Sequence, residues 1–287
     1  MSLAQSYTMA SQAPPAMAWR EYEQLVLARW GELLASSPAE KAVQQFLEVH
    51  PCMVPGPTAA IGYAGHGVDP PALITQPALP AFTSRIPDFL WIGRNSAAVF
   101  PILIEIEAPG KAWFTASGSA SAQLTQALGQ IHEWKAWFAD HHNVASFLKY
   151  YDVETHGRPL LPRYILVHGR RSEFDANKAL VAKRAAMETP DIVLMTYDRL
   201  APDRNADDVM TVKLKADGYH AIFAPPTLEL GPNVAEGLAR IVGKQDAVLV
   251  SPYFTDERRT FMLERLAYWD NWVRTSSKGI RNLGHRE

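Results

Sequence analysis

One cysteine, Cys52, stands among 287 residues. No internal disulfide can brace such a chain, and it suits a reducing compartment, the cytoplasm. Long apolar runs are missing too. No uncharged apolar stretch approaches the ~20 residues needed to cross a bilayer, and the opening MSLAQSYTMASQAPPAMAWR has neither the basic nor the apolar segment of a secretory signal. No membrane role is expected. Positive charge is not in excess: 28 Lys and Arg face 30 Asp and Glu, for a net charge of −2. A polyanionic partner must therefore be held by a local patch or through metal ions. The nine histidines form no i, i+4 pair and no short Cys/His cluster, which argues against a compact zinc site. Internal repeats and low-complexity tracts are absent.

What remains is ordinary globular composition, 47% hydrophobic and 20% charged, enough for one large domain or a core with extensions. WREYEQLVLARWGELLAS reads as a first helix and SPAEKAVQQFLEVHP as a second, stopping before Pro51. The seven prolines of residues 51–80 are expected to exclude helix and allow only short extended pieces. SRIPDFLWIG and AAVFPILIEIEA, separated by RNS, predict an antiparallel hairpin. SASAQLTQALGQIHEWKAWFADHH predicts one long helix with Leu124, Leu128, Ile131 and Trp134 or Lys135 at the 3.6-residue period, beside a polar stripe of Gln123, Gln126, Gln130 and Glu133. RYILVHGR and DIVLMTYD are short apolar strands flanking the helical SEFDANKALVAKRAAME, an α/β pattern. TVKLKADGYHAIFAPPTLELGP is mixed extended chain, and DERRTFMLERLAYWDNWVRTSS is a terminal amphipathic helix.

The chemistry concentrates in FPILIEIE. Strand alternation puts Phe100, Ile102, Ile104 and Ile106 on one face, and Leu103, Glu105 and Glu107 on the other. Two like charges at the end of an apolar strand are unfavourable unless something positive lies beside them. Asp88, on the preceding strand, is placed by hairpin pairing opposite the Glu105 end. Three convergent carboxylates suit a hard, oxygen-liking ion such as magnesium or manganese. The plainer alternative is a set of solvated strand-end charges, or pairing with Arg85 or Lys111.

In order along residues 38–200, EKAVQQFLEVHP, IPDFLWIG, FPILIEIEAPGK, FTASGSASAQLTQALGQIHEW, YILVHGRRSEF and IVLMTYDRL resemble the Shedu family of bacterial anti-phage proteins, whose core belongs to the PD-(D/E)xK nuclease superfamily. The resemblance implies an α/β, restriction-endonuclease-like core with a central mixed sheet flanked by helices. Residues 1–37 then form a helical N-terminal extension, 38–200 the nuclease-like core, and 201–287 a mixed C-terminal extension with a terminal amphipathic helix. It further implies that Asp88, Glu105 and the backbone carbonyl of Ile106 bind Mg²⁺ or Mn²⁺, with Gln130 near the ion. Metal-dependent hydrolysis of phosphodiester bonds in phage or other foreign DNA is the expected activity, and a homo-oligomer the expected assembly. The motif lysine position carries Glu107. Glu107 is then an additional ligand recruiting a second ion, or a general base whose pKa is raised by acidic neighbours. Lys111, from the APGK loop, is a candidate to return the missing cation. The alternative function is a catalytically weakened nucleic-acid-binding or sensor protein of the same fold.

Other residues are weaker candidates. Glu48 is either an accessory acid or an exposed helix glutamate. Arg170 and Arg171 either meet a nucleic-acid backbone or pair with Glu173 or Asp175. Ser117, Gly118 and Ser119 read as a capping turn, and Trp113, Trp134 and Trp137 as core aromatics. Asp198 reads as a cap. Phe261, Leu263, Leu266, Trp269 and Trp272 either pack inward or dock another chain.

Overall fold

A computed structural model describes residues 5–62, 67–81, 86–275, 279–282 and 284–287. Arg85 lies outside the described residues. Helices α1 (Trp19–Ala35), α2 (Glu40–Val49) and α3 (Pro57–Ile61) come first. Strands β1 (Gly67–Val68), β2 (Ala72–Thr75), β3 (Phe89–Arg94) and β4 (Val99–Ile106) follow. Then come α4 (Ala122–Phe138), α5 (His141–Tyr150), β5 (Arg163–Val167), α6 (Ser172–Ala176), α7 (Ala179–Ala185) and β6 (Ile192–Met195). The chain continues through β7 (Met210–Lys215), β8 (Gly218–Phe223), α8 (Pro232–Leu238), β9 (Ile241–Val242), α9 (Lys244–Val250) and α10 (Asp256–Thr275).

Among the described residues nine strands make one mixed sheet in the order β6-β5-β4-β3-β2-β7-β8-β9, with β1 beside β3. The expected hairpin is present: β3 and β4 are antiparallel, Phe89 facing Ile104. β4, β5 and β6 run parallel, so their C-terminal ends share one edge of the sheet. Every residue of β4 is buried because helices cover both faces. On one face, Leu90, Leu103, Leu166 and Leu194 pack with Leu124, Ile131 and Trp134 of α4 and with Met262, Leu266 and Trp269 of α10. On the other, Phe89, Trp91, Ile102, Ile104 and Ile165 pack with Tyr22, Val26 and Trp30 of α1 and Val43 and Leu47 of α2. Glu105 therefore points to the α4 side, as alternation requires.

Several expectations need correction. The proline-rich segment does form helix: Pro51 opens a 3₁₀ turn over Pro51–Met53, and Pro57 opens α3. Proline is compatible with a first helical position, where its missing N–H has no intrahelical partner anyway. The same segment supplies β2, a strand in the middle of the sheet. The long helix after the acidic strand ends at Phe138, and Asp140 starts α5 by accepting the N–H of His142 at 2.8 Å. The helical stretch after β5 breaks at Asn177 into α6 and α7. Asp198 does not cap its own turn; its carboxylate binds the Arg170 guanidinium and accepts the Arg171 N–H at 2.6 Å, where α6 begins. Trp113, Trp134 and Trp137 are core, and Leu266, Trp269 and Trp272 pack inward, the last two against Tyr7. Among the described residues no helix is long and apolar enough to cross a membrane.

Candidate active site

The hairpin brings Asp88 beside the end of β4. Its N–H donates to the Ile104 carbonyl at 3.1 Å, and its Oδ2 accepts the Ile106 N–H at 2.8 Å. That bond extends the ladder through a side chain and fixes the carboxylate against the neighbouring strand. Asp88 and Glu105 are hydrogen-bonded to each other. Gln130, nine-tenths buried on α4, is hydrogen-bonded to Glu105 and sets its orientation from across the sheet. Glu105 is 8% exposed, and its Oε2 is closed to solvent without a hydrogen-bond partner.

Burial raises Asp88 to about 7; the Ile106 N–H opposes the shift, Glu40 and Glu107 add to it, and the bond to Glu105 holds it back. Burial likewise drives Glu105 well above the usual carboxylate range, helped by Asp88, Glu107 and Glu40 and opposed by Gln130. Both carboxyls are thus destabilised as anions by the same cause, removal of water next to other acids.

Glu107 lies just past β4. Its N–H donates to the Val167 carbonyl at 3.0 Å and its own carbonyl accepts the Tyr197 hydroxyl at 2.5 Å. The carboxylate is ion-paired with Lys111, which also lies 3.6 Å from Glu40. Burial acts to lower the Lys111 pKa, but Glu107 and Glu40 outweigh it and raise the ammonium above its ordinary value. Lys111 thus does turn back toward the acidic edge, through the Ala108–Lys111 turn closed by a 3.0 Å backbone bond.

Glu40 was not singled out by sequence reasoning. It is the first residue of α2, a place where acids are ordinary because they favour a helix N-terminus, so its signal was masked. Glu48, the helix acid that did attract notice, is half-buried and accepts from Thr75 Oγ1 at 2.5 Å. Gln123 and Gln126 face solvent. Arg170 is committed to Asp198, with Nη2 to Oδ1 at 2.8 Å and Nε to both carboxylate oxygens, and to the Leu34 carbonyl at 3.2 Å. Arg171 is exposed. Glu173 pairs with neither arginine and accepts the N–H groups of Trp113 and Phe114 at 2.9 and 2.8 Å.

A hard cation fits Asp88 and Glu105: two oxygen donors whose anions burial destabilises, one with an orphaned oxygen. A cage of three carboxylates does not form. Among the described residues, the group of three acid or histidine side chains with ligand atoms within 4.8 Å of one another is Asp140, His141 and His142, all exposed. Glu107 is drawn instead to Lys111.

No curated protein matches the chain. A family model described as Shedu protein SduA, C-terminal, matches residues 37–201. The match runs over more than half of the chain and takes in Glu40, Asp88, Glu105, Glu107 and Gln130, and on that ground the chain belongs to the Shedu family.

Proposed function

We propose that the chain is a metal-dependent nuclease of anti-phage defence, with a restriction-endonuclease-like core that hydrolyses phosphodiester bonds of invading DNA. Shedu membership implies anti-phage defence. The observation that carries the nuclease reading is the Asp88–Glu105 pair, two carboxyl groups held together out of water with Glu105 Oε2 unpartnered. Burying such a pair opposes folding, and its retention favours a functional over a structural role.

Asp88, Glu105 and the Ile106 carbonyl would hold one Mg²⁺ or Mn²⁺. An ion held there would supply polarisation of a phosphate oxygen and a lowered pKa for an attacking water. Gln130 would keep the Glu105 carboxylate aimed at the ion. Glu107 and Lys111 form a buffered acid–cation pair beside the ion site, so Lys111 supplies positive charge for the scissile phosphate while Glu107 accepts a proton from water. This division of labour replaces the single lysine of the superfamily motif.

The test is cleavage of supercoiled, nicked and linear DNA with Mg²⁺ or Mn²⁺, together with melting temperature in Mn²⁺ titrations. Glu105→Gln is expected to slow cleavage on the order of 10³-fold and to abolish the Mn²⁺-induced rise in melting temperature. Wild-type cleavage retained in Glu105→Gln refutes the assignment. Glu107→Lys reports whether the departure from lysine supports the reaction: a faster variant makes Glu107 a handicap, a dead one makes it part of the machinery.

A further inference from the structure

On the same edge of the sheet as Glu105, two strands away, α6, α7 and the turn after β6 enclose a cavity of about 290 Å³. Arg171, Lys178, Arg184 and Arg199 line it, against one acid, Asp175. Among the described residues, none of the four cations has a carboxylate oxygen within 4.0 Å. The carboxylate that would neutralise Arg171, that of Asp198, is taken by the Arg170 fork. Arg184 lies over the ring of the buried Phe174, 5.1 Å from its centroid, and its Nε is closed to solvent with no hydrogen-bond partner. In a chain of net charge −2 this is a local concentration of positive charge around a concavity with a built-in unmet donor.

We propose that this cavity binds a phosphate group, and that the phosphate belongs to the nucleic-acid strand that reaches the Asp88–Glu105 site. Guanidinium forks match phosphate oxygens in geometry and stay charged at every working pH, and three of the four cations are arginines. Position favours a strand over a free nucleotide. β4 and β6 are two strands apart, about 10 Å at the usual interstrand spacing, which corresponds to roughly three nucleotides of helical rise. The cavity wall and the Lys111 loop are also one mechanical unit. Glu173, between Arg171 and Phe174, holds the N–H groups of Trp113 and Phe114, and the Trp113 and Phe174 rings lie 5.5 Å apart. A phosphate drawn into the cavity therefore acts on the segment that carries Lys111. The strand assignment rests on the proposed nuclease function; the phosphate site does not.

The experiment is binding of inorganic pyrophosphate, thymidine monophosphate and a fluorescent twelve-nucleotide single strand, measured in EDTA so that the ion site does not contribute. The full chain is compared with Arg171→Gln/Arg199→Gln, whose side chains are exposed, with Arg184→Gln, and with Asp175→Asn. Expected results are at least tenfold weaker binding of pyrophosphate and strand in the two arginine variants, unchanged melting temperature in the exposed pair, and several-fold tighter binding in Asp175→Asn. That gain cannot arise from misfolding. Binding that survives EDTA separates this site from the metal site, which EDTA empties. Absence of saturable pyrophosphate binding, or equal binding by wild type and arginine variants, overturns the phosphate site. Loss of pyrophosphate and monophosphate binding with strand binding intact overturns the strand assignment.

Discussion

Single residues in this protein are displaced from their ordinary chemistry by burial more than by charge. His50 is 2% exposed between the hydroxyls of Tyr22 and Tyr253, at 3.0 Å from Nδ1 and 3.3 Å from Nε2. Burial, and then the Arg29 guanidinium, lower it from 6.5 to about 4. A histidine kept neutral in the fold binds fewer protons than in the unfolded chain between those values. Stability must therefore fall as pH drops from about 6.5 to about 4, by up to about 3 kcal/mol once both values are passed. Urea denaturation from pH 7 to 4 should show this acid limb, and His50→Gln should flatten it. Lys111 works in the opposite sense, its charge secured by two acids. Under the proposed mechanism Lys111→Met reduces the cleavage rate about 10²-fold with little change in Mn²⁺-induced stabilisation, read by single-turnover kinetics and thermal melts. A matched loss of metal binding would place Lys111 in support of the carboxylates instead.

Among the elements, α4 matters most because it delivers Gln130 to Glu105. Its start is fixed by Ser121, whose hydroxyl accepts the Leu124 N–H at 3.1 Å and donates to the Ala112 carbonyl at 2.7 Å. One side chain thus caps the helix and ties it to the loop that follows Lys111. Ser121→Ala is expected to cost about 2 kcal/mol in chemical denaturation, the upper end for a cap because the Ala112 carbonyl also loses a donor. Cleavage should fall with it if Gln130 shifts. The periodicity of α4 was legible: Leu124, Ile131 and Trp134 are buried as a 3.6-residue stripe demands. Its end was not, because Ala139–Asp140 interrupts an otherwise continuous helical pattern, and only an Asx-type cap at Asp140 reveals the second helix. The proline-rich segment misled for a related reason. Proline density signals broken chain, but whether a proline opens a helix or precedes a strand depends on what the next residues pack against.

At the scale of the molecule, the sheet does not stop where the family match stops. β7 is parallel to β2, with Ala72, Leu73 and Ile74 facing Met210, Thr211 and Val212, and α10 covers the same face as α4. A fragment of residues 37–201 would expose β2, buried throughout, as a bare edge and uncover the apolar face under α10. Expressed alone, that fragment is expected to aggregate or to lack a cooperative thermal transition, measured by circular dichroism and light scattering, while the full chain melts cooperatively. Overall charge predicts a second property. With net charge −2, binding to duplex DNA must depend on local cations and weaken steeply with salt.

The α/β pattern, the hairpin of β3 and β4, and the common face of Glu105 and Glu107 are written in the order of residues alone, because strand alternation and turn chemistry are local rules. The same order places Asp88 near Glu105, since a short antiparallel hairpin leaves little freedom of register. Which of the many polar residues meet is settled by the folded arrangement alone. Glu40 joins the acidic edge from another helix, Lys111 turns back onto Glu107, Arg170 is claimed by Asp198, and four cations from α7 and from the loops on either side of α6 and after β6 gather around one cavity. Those encounters join residues far apart along the chain through the packing of helices on a sheet, and packing is set by the whole buried surface at once rather than by any local stretch.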